Sequence, residues 1–231
     1  VRTGLAGEFL PELPAMALEQ DPIHRHKDVL AHTIAVVDNV RPQAPGSFRH
    51  TRLAALFHDI GKGSGKDHSV RGAEIAAAAC VRMGIDPADA ADVEWLVLKH
   101  LRMAQIAQRR DLSDLHLIHA FAEECGSIDR LVKLYLLTYA DIATVGPRTW
   151  TDWKARLLRE LYEKTRDALQ EGVGRGRRPL GVMQRVTPER ILTRRGPPVG
   201  GVPKGDGWEV KQSEAARQNG LRRTRRGRAF R

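Results

Sequence analysis

The sequence predicts an all-α fold, and the pattern of its apolar residues supports this prediction in two ways. Between Leu53 and Ile60, and again between Leu131 and Asp141, residues three or four positions apart share one face, as in an amphipathic helix. Before residue 171, no segment alternates apolar and polar residues over the length of a strand. The chain has 231 residues, 42% of them hydrophobic, so it can bury one sizeable core.

Three helices are predicted in the first part of the chain. The first spans residues 27–40 and ends before a loop rich in proline and glycine. The second, residues 51–60, is stopped by Gly61. Ser69 is expected to cap an alanine-rich third helix that reaches about Met83.

Two further helices are predicted from their end signals. Asp86 is a strong N-cap candidate because Pro87 follows it in the first helical position, and the helical pattern then continues to about Met103. Ser113 is expected to open the next helix, which ends at Gly126.

Two longer helices complete the predicted bundle. Residues 128–143 carry an apolar stripe and end before Gly146 and Pro147. Thr151 begins a long amphipathic helix that runs to the end of the helical region. Core positions are predicted for four aromatic residues: Trp95, Tyr135, Trp150 and Trp153.

The net charge of +10 is distributed unevenly along the chain. Residues 1–171 hold 22 Lys and Arg against 24 Asp and Glu, whereas residues 172–231 hold 16 against 4. The latter segment is rich in Arg, Gly and Pro and has no sustained apolar period, so it is predicted to be disordered. We therefore divide the chain into a lead-in segment (1–26), a helical domain (27–171) and a basic tail (172–231).

The role of the basic tail stays open among three interpretations. It binds nucleic acid through nonspecific charge attraction, or it is a solvated tail without a binding role. In the third interpretation it is the product of a frame-shifted GC-rich gene, since such DNA read out of frame yields Arg, Gly and Pro.

We expect a cytoplasmic protein that does not enter membranes. The two cysteines, Cys80 and Cys125, suggest no disulfide framework. No apolar run approaches the roughly 18 residues that a membrane span needs, and the N-terminus lacks the pattern of a signal peptide. The first residue is Val rather than Met, which suggests an alternative start or a truncated product.

An adjacent ionisable pair, His58 and Asp59, lies at the end of the apolar second helix and is the most specific chemical feature. A buried charge costs several kcal/mol unless it is paired or bound to a metal. His32 and Asp141 are polar residues on two other apolar stripes. These four residues are therefore candidate metal ligands.

His68 and His100 add two further imidazoles, which are either further metal ligands or polar walls of the pocket. Nitrogen and oxygen ligands without a thiolate favour Mn, Fe, Zn, Co or Mg, and we expect one or two divalent ions. Lys62 is a candidate to neutralise a phosphate oxygen, with a solvated charge at a helix end as the alternative. Four other histidines are not expected to bind metal: His24, His26, His116 and His119.

The order of these residues, H…HD…D, resembles that of the HD superfamily of metal-dependent phosphohydrolases. This resemblance implies an HD-domain helical bundle in which His32, His58, Asp59 and Asp141 bind a metal. It also implies that Asp59 bridges to a second metal held by His68 and His100, and that Asp59 is catalytic. The metal would activate a water, polarise the phosphorus–oxygen bond and orient the attack.

From Leu53 to about Leu169 the resemblance is narrower. LAALFHDIGKGSGKDHSVRGAE and LYLLTYADIATVGPRTWTDWKARLLRELYEKT look like the uridylyl-removing HD domain of bifunctional PII uridylyltransferases. This implies hydrolysis of the phosphodiester that joins UMP to a tyrosine of the nitrogen regulator PII. Three residues are then candidates for contact with this substrate: Lys62, Lys66 and Arg71.

The chain departs from that family in three ways. The transferase domain is missing upstream and the basic tail replaces the C-terminal ACT repeats, so we expect neither uridylyl transfer nor control by glutamine. The stretch DPIHRHKDVLAHT resembles the start of the HD domain in CCA-adding tRNA nucleotidyltransferases. Two alternatives therefore stay open: a phosphohydrolase acting on nucleotides or tRNA 3′ ends, and an inactive truncated remnant.

Overall fold

The computed structural model describes residues 10–16, 28–40, 49–64, 67–146 and 149–174. Within these ranges the protein is all-α, as predicted, with eight α-helices, one short 3₁₀ turn and no β-strand. The turn is Pro14–Met16, and the helices are α1 (Val29–Asn39), α2 (Arg49–Phe57), α3 (His68–Arg82), α4 (Pro87–Lys99), α5 (Arg102–Arg109), α6 (Leu115–Cys125), α7 (Ile128–Val145) and α8 (Asp152–Gly174). Helix α8 passes the boundary predicted at residue 171, and the remainder of the predicted basic tail lies outside the described residues.

Aspartate side chains begin four of the helices by accepting hydrogen bonds from backbone N–H groups of the first turn. The prediction that Asp86 caps its helix is confirmed. The predictions that Ser69 and Ser113 open α3 and α6 were wrong, since the caps are Asp67 and Asp114. A carboxylate accepts a stronger hydrogen bond than a hydroxyl and complements the positive end of the helix dipole.

The prediction of one helix that continues to Met103 was also wrong, because α4 ends at Lys99 and α5 begins at Arg102. The Nδ1 atom of His100 lies 2.7 Å from the carbonyl oxygen of Val97. In a continuing helix that carbonyl would accept the N–H group four residues on. The imidazole takes its place, and the helix ends.

Helix α2 ends in the same way. The Nδ1 atom of His58 lies 2.8 Å from the carbonyl oxygen of Ala55, again three residues earlier, and the last helical residue is Phe57. The turn that follows, residues 58–63, carries Asp59. Two histidines and one aspartate are thus placed at helix ends.

Helix α7 is the centre of the bundle. Its residues from Leu131 to Thr138 are all buried, and it packs against α1, α2, α4, α5, α6 and α8. Its one buried cation, Lys133, donates to Asp92 of α4 at 2.9 Å and pairs with Asp129 at 2.6 Å. A buried charge is tolerated when it is paired on both sides. The pair of Lys133 with Asp92 joins α7 to α4.

The turn after α2 meets α3 where two glycines face each other. A Cβ atom on Gly61 would overlap the carbonyl oxygen of His68 and come within 2.8 Å of the backbone nitrogen of Gly72. Because both are backbone atoms, they cannot move aside without shifting α3. The close approach therefore seats His68, at the start of α3, beside the turn that carries Asp59.

The predicted core aromatics differ in their burial. Tyr135 is fully buried, whereas Trp153 is 51% exposed and its predicted core position was wrong. At 100° per residue, Trp153 lies about 140° around α8 from the buried Leu158 and one turn or more before it, in the first turn of the helix. None of the helices in the described ranges is long and apolar enough to cross a bilayer.

We expect Gly61→Ala to lower the free energy of unfolding by at least about 1–3 kcal/mol, the usual cost of overpacking. Urea denaturation followed by circular dichroism measures this. Gly172→Ala is the control, since a Cβ there meets nothing within 4 Å; it should be neutral or stabilise α8 by roughly 0.5–1 kcal/mol. Equal effects of the two substitutions would contradict the role of the close approach.

Candidate metal centre

The six residues predicted as metal ligands converge in one place, although they come from separate parts of the chain. They are His32 in the middle of α1, His58 and Asp59 in the turn after α2, His68 at the start of α3, His100 between α4 and α5, and Asp141 in α7. Three of the six are almost completely buried: His58, Asp59 and His100.

Asp59 lies at the centre of this cluster. Its Oδ2 atom is 3.4 Å from Nε2 of His58 and 3.8 Å from Nε2 of His32. Its Oδ1 atom is 3.9 Å from Nε2 of His68. The two carboxylate oxygens therefore face different imidazoles.

Two groups of three side chains bring their ligand atoms within 4.8 Å of one another. The first group is His32, His58 and Asp59, and the second is Asp59, His68 and His100. Asp141 closes the first group, with its Oδ1 atom 3.0 Å from Nε2 of His32 and 3.8 Å from Nε2 of His58. A carboxylate shared by two such groups is placed to bridge two ions.

The donor atoms of the cluster fit a divalent cation. Within the described part of the chain, the Nε2 atoms of His58, His68 and His100 are buried and have no hydrogen-bond partner. An unpaired buried nitrogen is costly. The Nδ1 atoms of His58 and His100 contact helix carbonyls, so they carry the proton and Nε2 offers its lone pair.

Burial keeps the imidazoles neutral. It lowers the pKa of His100 to about 4, and it lowers the pKa of His68 as well. A histidine must be neutral to bind a metal ion. Near neutral pH both side chains are therefore in the form that binds.

The two carboxyl groups are ionised despite their burial. Burial alone would raise the pKa of Asp141, but the hydrogen bond from His32 and the neighbouring imidazoles lower it to about 2. The pKa of Asp59 is also lowered, because His58 and Lys62 outweigh the effect of burial. The carboxylates thus supply the negative charge that a divalent cation requires.

The residues predicted to contact substrate are placed differently from one another. The Nζ atom of Lys62 lies 2.5 Å from Oδ2 of Asp59, and the Lys62 side chain is partly exposed. Arg71 is half-exposed and pairs with Glu74 at 2.8 Å. Lys66 lies outside the described residues, as do His24 and His26, whereas His116 and His119 are exposed on α6 as predicted.

One residue beside the centre, Thr144, was not singled out from the sequence. The Oγ1 atom of Thr144 lies 3.4 Å from Nδ1 of His32. Beside the centre, a groove of about 370 Å³ has a lining that includes Ser69, Leu101 and Gln105. The sequence signal for Thr144 is its position near Asp141 on α7, which by itself does not distinguish it from its neighbours.

In the presence of a chelator, we expect the free energy of unfolding to fall as the pH is lowered from about 6.5 to about 4. The pKa of His100 is lower in the folded protein, so the unfolded chain takes up the proton first and is favoured. One such group contributes at most about 1.4 kcal/mol per pH unit. His100→Gln should flatten the profile and the exposed His119→Gln should not; identical profiles for both variants would contradict this account.

The family model for the HD domain matches residues 29–140 of the chain. This interval contains five of the six candidate ligands and ends one residue before the sixth, Asp141.

The chain is also similar to proteins named bifunctional uridylyltransferase/uridylyl-removing enzyme. The protein from Erythrobacter litoralis (strain HTCC2594) is 37% identical over 210 residues, which cover 83% of this chain and 22% of that protein. The protein from Xanthomonas campestris pv. campestris (strain B100) is 40% identical over 191 residues, which cover 74% and 22%.

The matches cover most of this chain but only a small part of each relative. Because residues 1–171 make up less than 83% of the chain, the similarity to the Erythrobacter protein continues into the segment predicted to be a tail. The chain spans about a fifth of the length of the curated relatives it matches. With the His and Asp groups positioned to hold a divalent metal, these matches show that the chain belongs to the HD-domain proteins and is related to the bifunctional uridylyltransferase/uridylyl-removing enzymes.

Proposed function

We propose that the chain hydrolyses the phosphodiester that joins UMP to a tyrosine of the regulator PII. The observation that carries this proposal is the pair of ligand groups that share Asp59, set in a domain whose relatives are named for uridylyl removal. Hydrolysis of a phosphodiester needs positive charge at the phosphate and an activated water, and a centre of this kind serves both needs.

In this proposal His32, His58, Asp59 and Asp141 hold one ion. The second ion is held by Asp59, His68 and His100. A bound divalent metal polarises the phosphorus–oxygen bond and lowers the pKa of an attacking water. The protein contributes the fixed geometry, since the helix ends at His58 and His100 hold both rings through their Nδ1 atoms.

The role proposed for Lys62 is contact with a phosphate oxygen of the substrate. Its side chain is 27% exposed, and it is joined to the centre through Oδ2 of Asp59. Its ammonium group is therefore within reach of both the metal ligands and the solvent. Lys66 and Arg71 remain candidates for the same contact, Arg71 through the exposed end of its side chain.

The proposal predicts that the Mn²⁺-loaded protein releases UMP from uridylylated PII, as measured by chromatography of the products. Asp59→Ala should reduce this rate by about 100-fold or more, since a metal supplies several kcal/mol of transition-state stabilisation. His119→Ala, on the exposed side of α6, is the matched control and should retain full activity.

Two other substrates distinguish this proposal from the alternatives. Bis(p-nitrophenyl) phosphate reports a working centre without specificity, and tRNA tests action on 3′ ends. Hydrolysis of tRNA but not of uridylylated PII would contradict the proposal and favour the CCA-type alternative. Full metal occupancy without turnover of any of the three would identify an inactive remnant.

A further inference from the structure

Three of the four histidines around Asp59 have a contact at Nδ1 in the described structure, but not with the same kind of partner. His58 and His100 each use the carbonyl oxygen three residues earlier, at 2.8 Å and 2.7 Å, and each ends its helix by doing so. His32 cannot do this, because it lies inside α1, where the preceding carbonyls are occupied by backbone bonds. Its Nδ1 atom therefore needs an acceptor from another element.

That acceptor is the hydroxyl of Thr144 on α7, whose Oγ1 atom lies 3.4 Å from Nδ1 of His32. The hydroxyl hydrogen of Thr144 is directed at carbonyls of its own helix, with Asp141 at 2.8 Å and Ala140 at 3.0 Å. A hydroxyl has one hydrogen and two lone pairs. Since the hydrogen is engaged, the atom presents a lone pair to Nδ1 of His32 and can accept a proton from it.

We propose that Thr144 is a positioning residue for His32, and so for the first metal ion. By accepting the proton of Nδ1, it selects the tautomer in which Nε2 of His32 carries a lone pair. Without an ion, Nε2 donates to Oδ1 of Asp141 at 3.0 Å and lies 3.8 Å from Oδ2 of Asp59. A cation held by Nε2 would take the place of that proton, and the acceptor at Nδ1 favours the exchange. This inference rests on the proposed role of His32 as a ligand and is independent of the substrate.

The position of Thr144 gives it a second effect on the same ion. It lies one turn after Asp141, so one side chain contacts the histidine on α1 and the helix that carries the carboxylate. The two helices pack directly on each other. Thr144 therefore fixes the ring of His32 relative to Asp141. A threonine that only bonds back to its own helix would have no such effect on metal binding.

Three variants test the proposal: Thr144→Val keeps the shape and removes the hydroxyl, Thr144→Ser restores the hydroxyl, and His32→Ala identifies which ion depends on His32. Affinities for Zn²⁺ are measured on the full chain by competition with a chromogenic chelator. We expect Thr144→Val to weaken the His32-dependent ion by about 10–100-fold, the usual effect of losing such an outer partner. Thr144→Ser should rescue this affinity, and the other ion should be unaffected.

A second readout separates tautomer selection from stability. In the Zn²⁺-loaded protein, the ¹⁵N spectrum of the His32 ring should show a protonated Nδ1 that exchanges faster with solvent in Thr144→Val. The thermal midpoint in EDTA should change little. A Val variant that binds both ions like the wild type overturns the proposal, and so does one that weakens both ions and lowers the midpoint together.

The metal affinities of His32→Ala and the assay with uridylylated PII show which of the two proposals fails. If His32→Ala leaves both affinities unchanged, the ligand role of His32 and the role of Thr144 fail together. If the affinities follow the expected pattern but uridylylated PII is not hydrolysed, only the substrate assignment fails.

Discussion

The carboxylate of Asp59 is the constraint on which the rest of the structure depends. It is 3% exposed, and its two oxygens face imidazoles from three different helical elements and the ammonium group of Lys62. An ionised carboxylate at this depth is stable only among positive charges, hydrogen-bond donors or metal ions. Helix α1, the turn after α2 and helix α3 each supply such a group, and the proposed metal centre uses the same imidazoles as ligands.

Two features of the bundle place these groups around Asp59. They are the helix ends at His58 and His100 and the close backbone contact at Gly61. His58 and His100 each satisfy a terminal carbonyl with one ring nitrogen and turn the other toward Asp59. The approach of Gly61 to Gly72 brings the start of α3, with His68, to the second oxygen. The same contact at Nδ1 therefore ends the helix and orients Nε2 toward Asp59. A substitution that let the helix continue would remove this orientation.

Much of this could be predicted from the sequence, because both the helices and the ligands appear as local patterns. Periodic apolar residues predicted the bundle, and polar residues on apolar stripes predicted four of the six residues that converge. The resemblance to the HD superfamily added His68 and His100. The end of α4 at His100 was missed, because it depends on a hydrogen bond of a side chain. The caps Asp67 and Asp114 were missed because a serine nearby was an equally good candidate in the sequence. Thr144 was missed because its contact joins residues 112 positions apart.

The most direct test of the shared carboxylate is the metal content of four proteins after reconstitution with Mn²⁺, measured by plasma mass spectrometry. The account predicts two ions in the wild type, one in His32→Ala, one in His68→Ala and none in Asp59→Ala, since Asp59 belongs to both ligand groups. Circular dichroism must show that all four remain helical. A folded Asp59→Ala variant that keeps either ion would contradict the account.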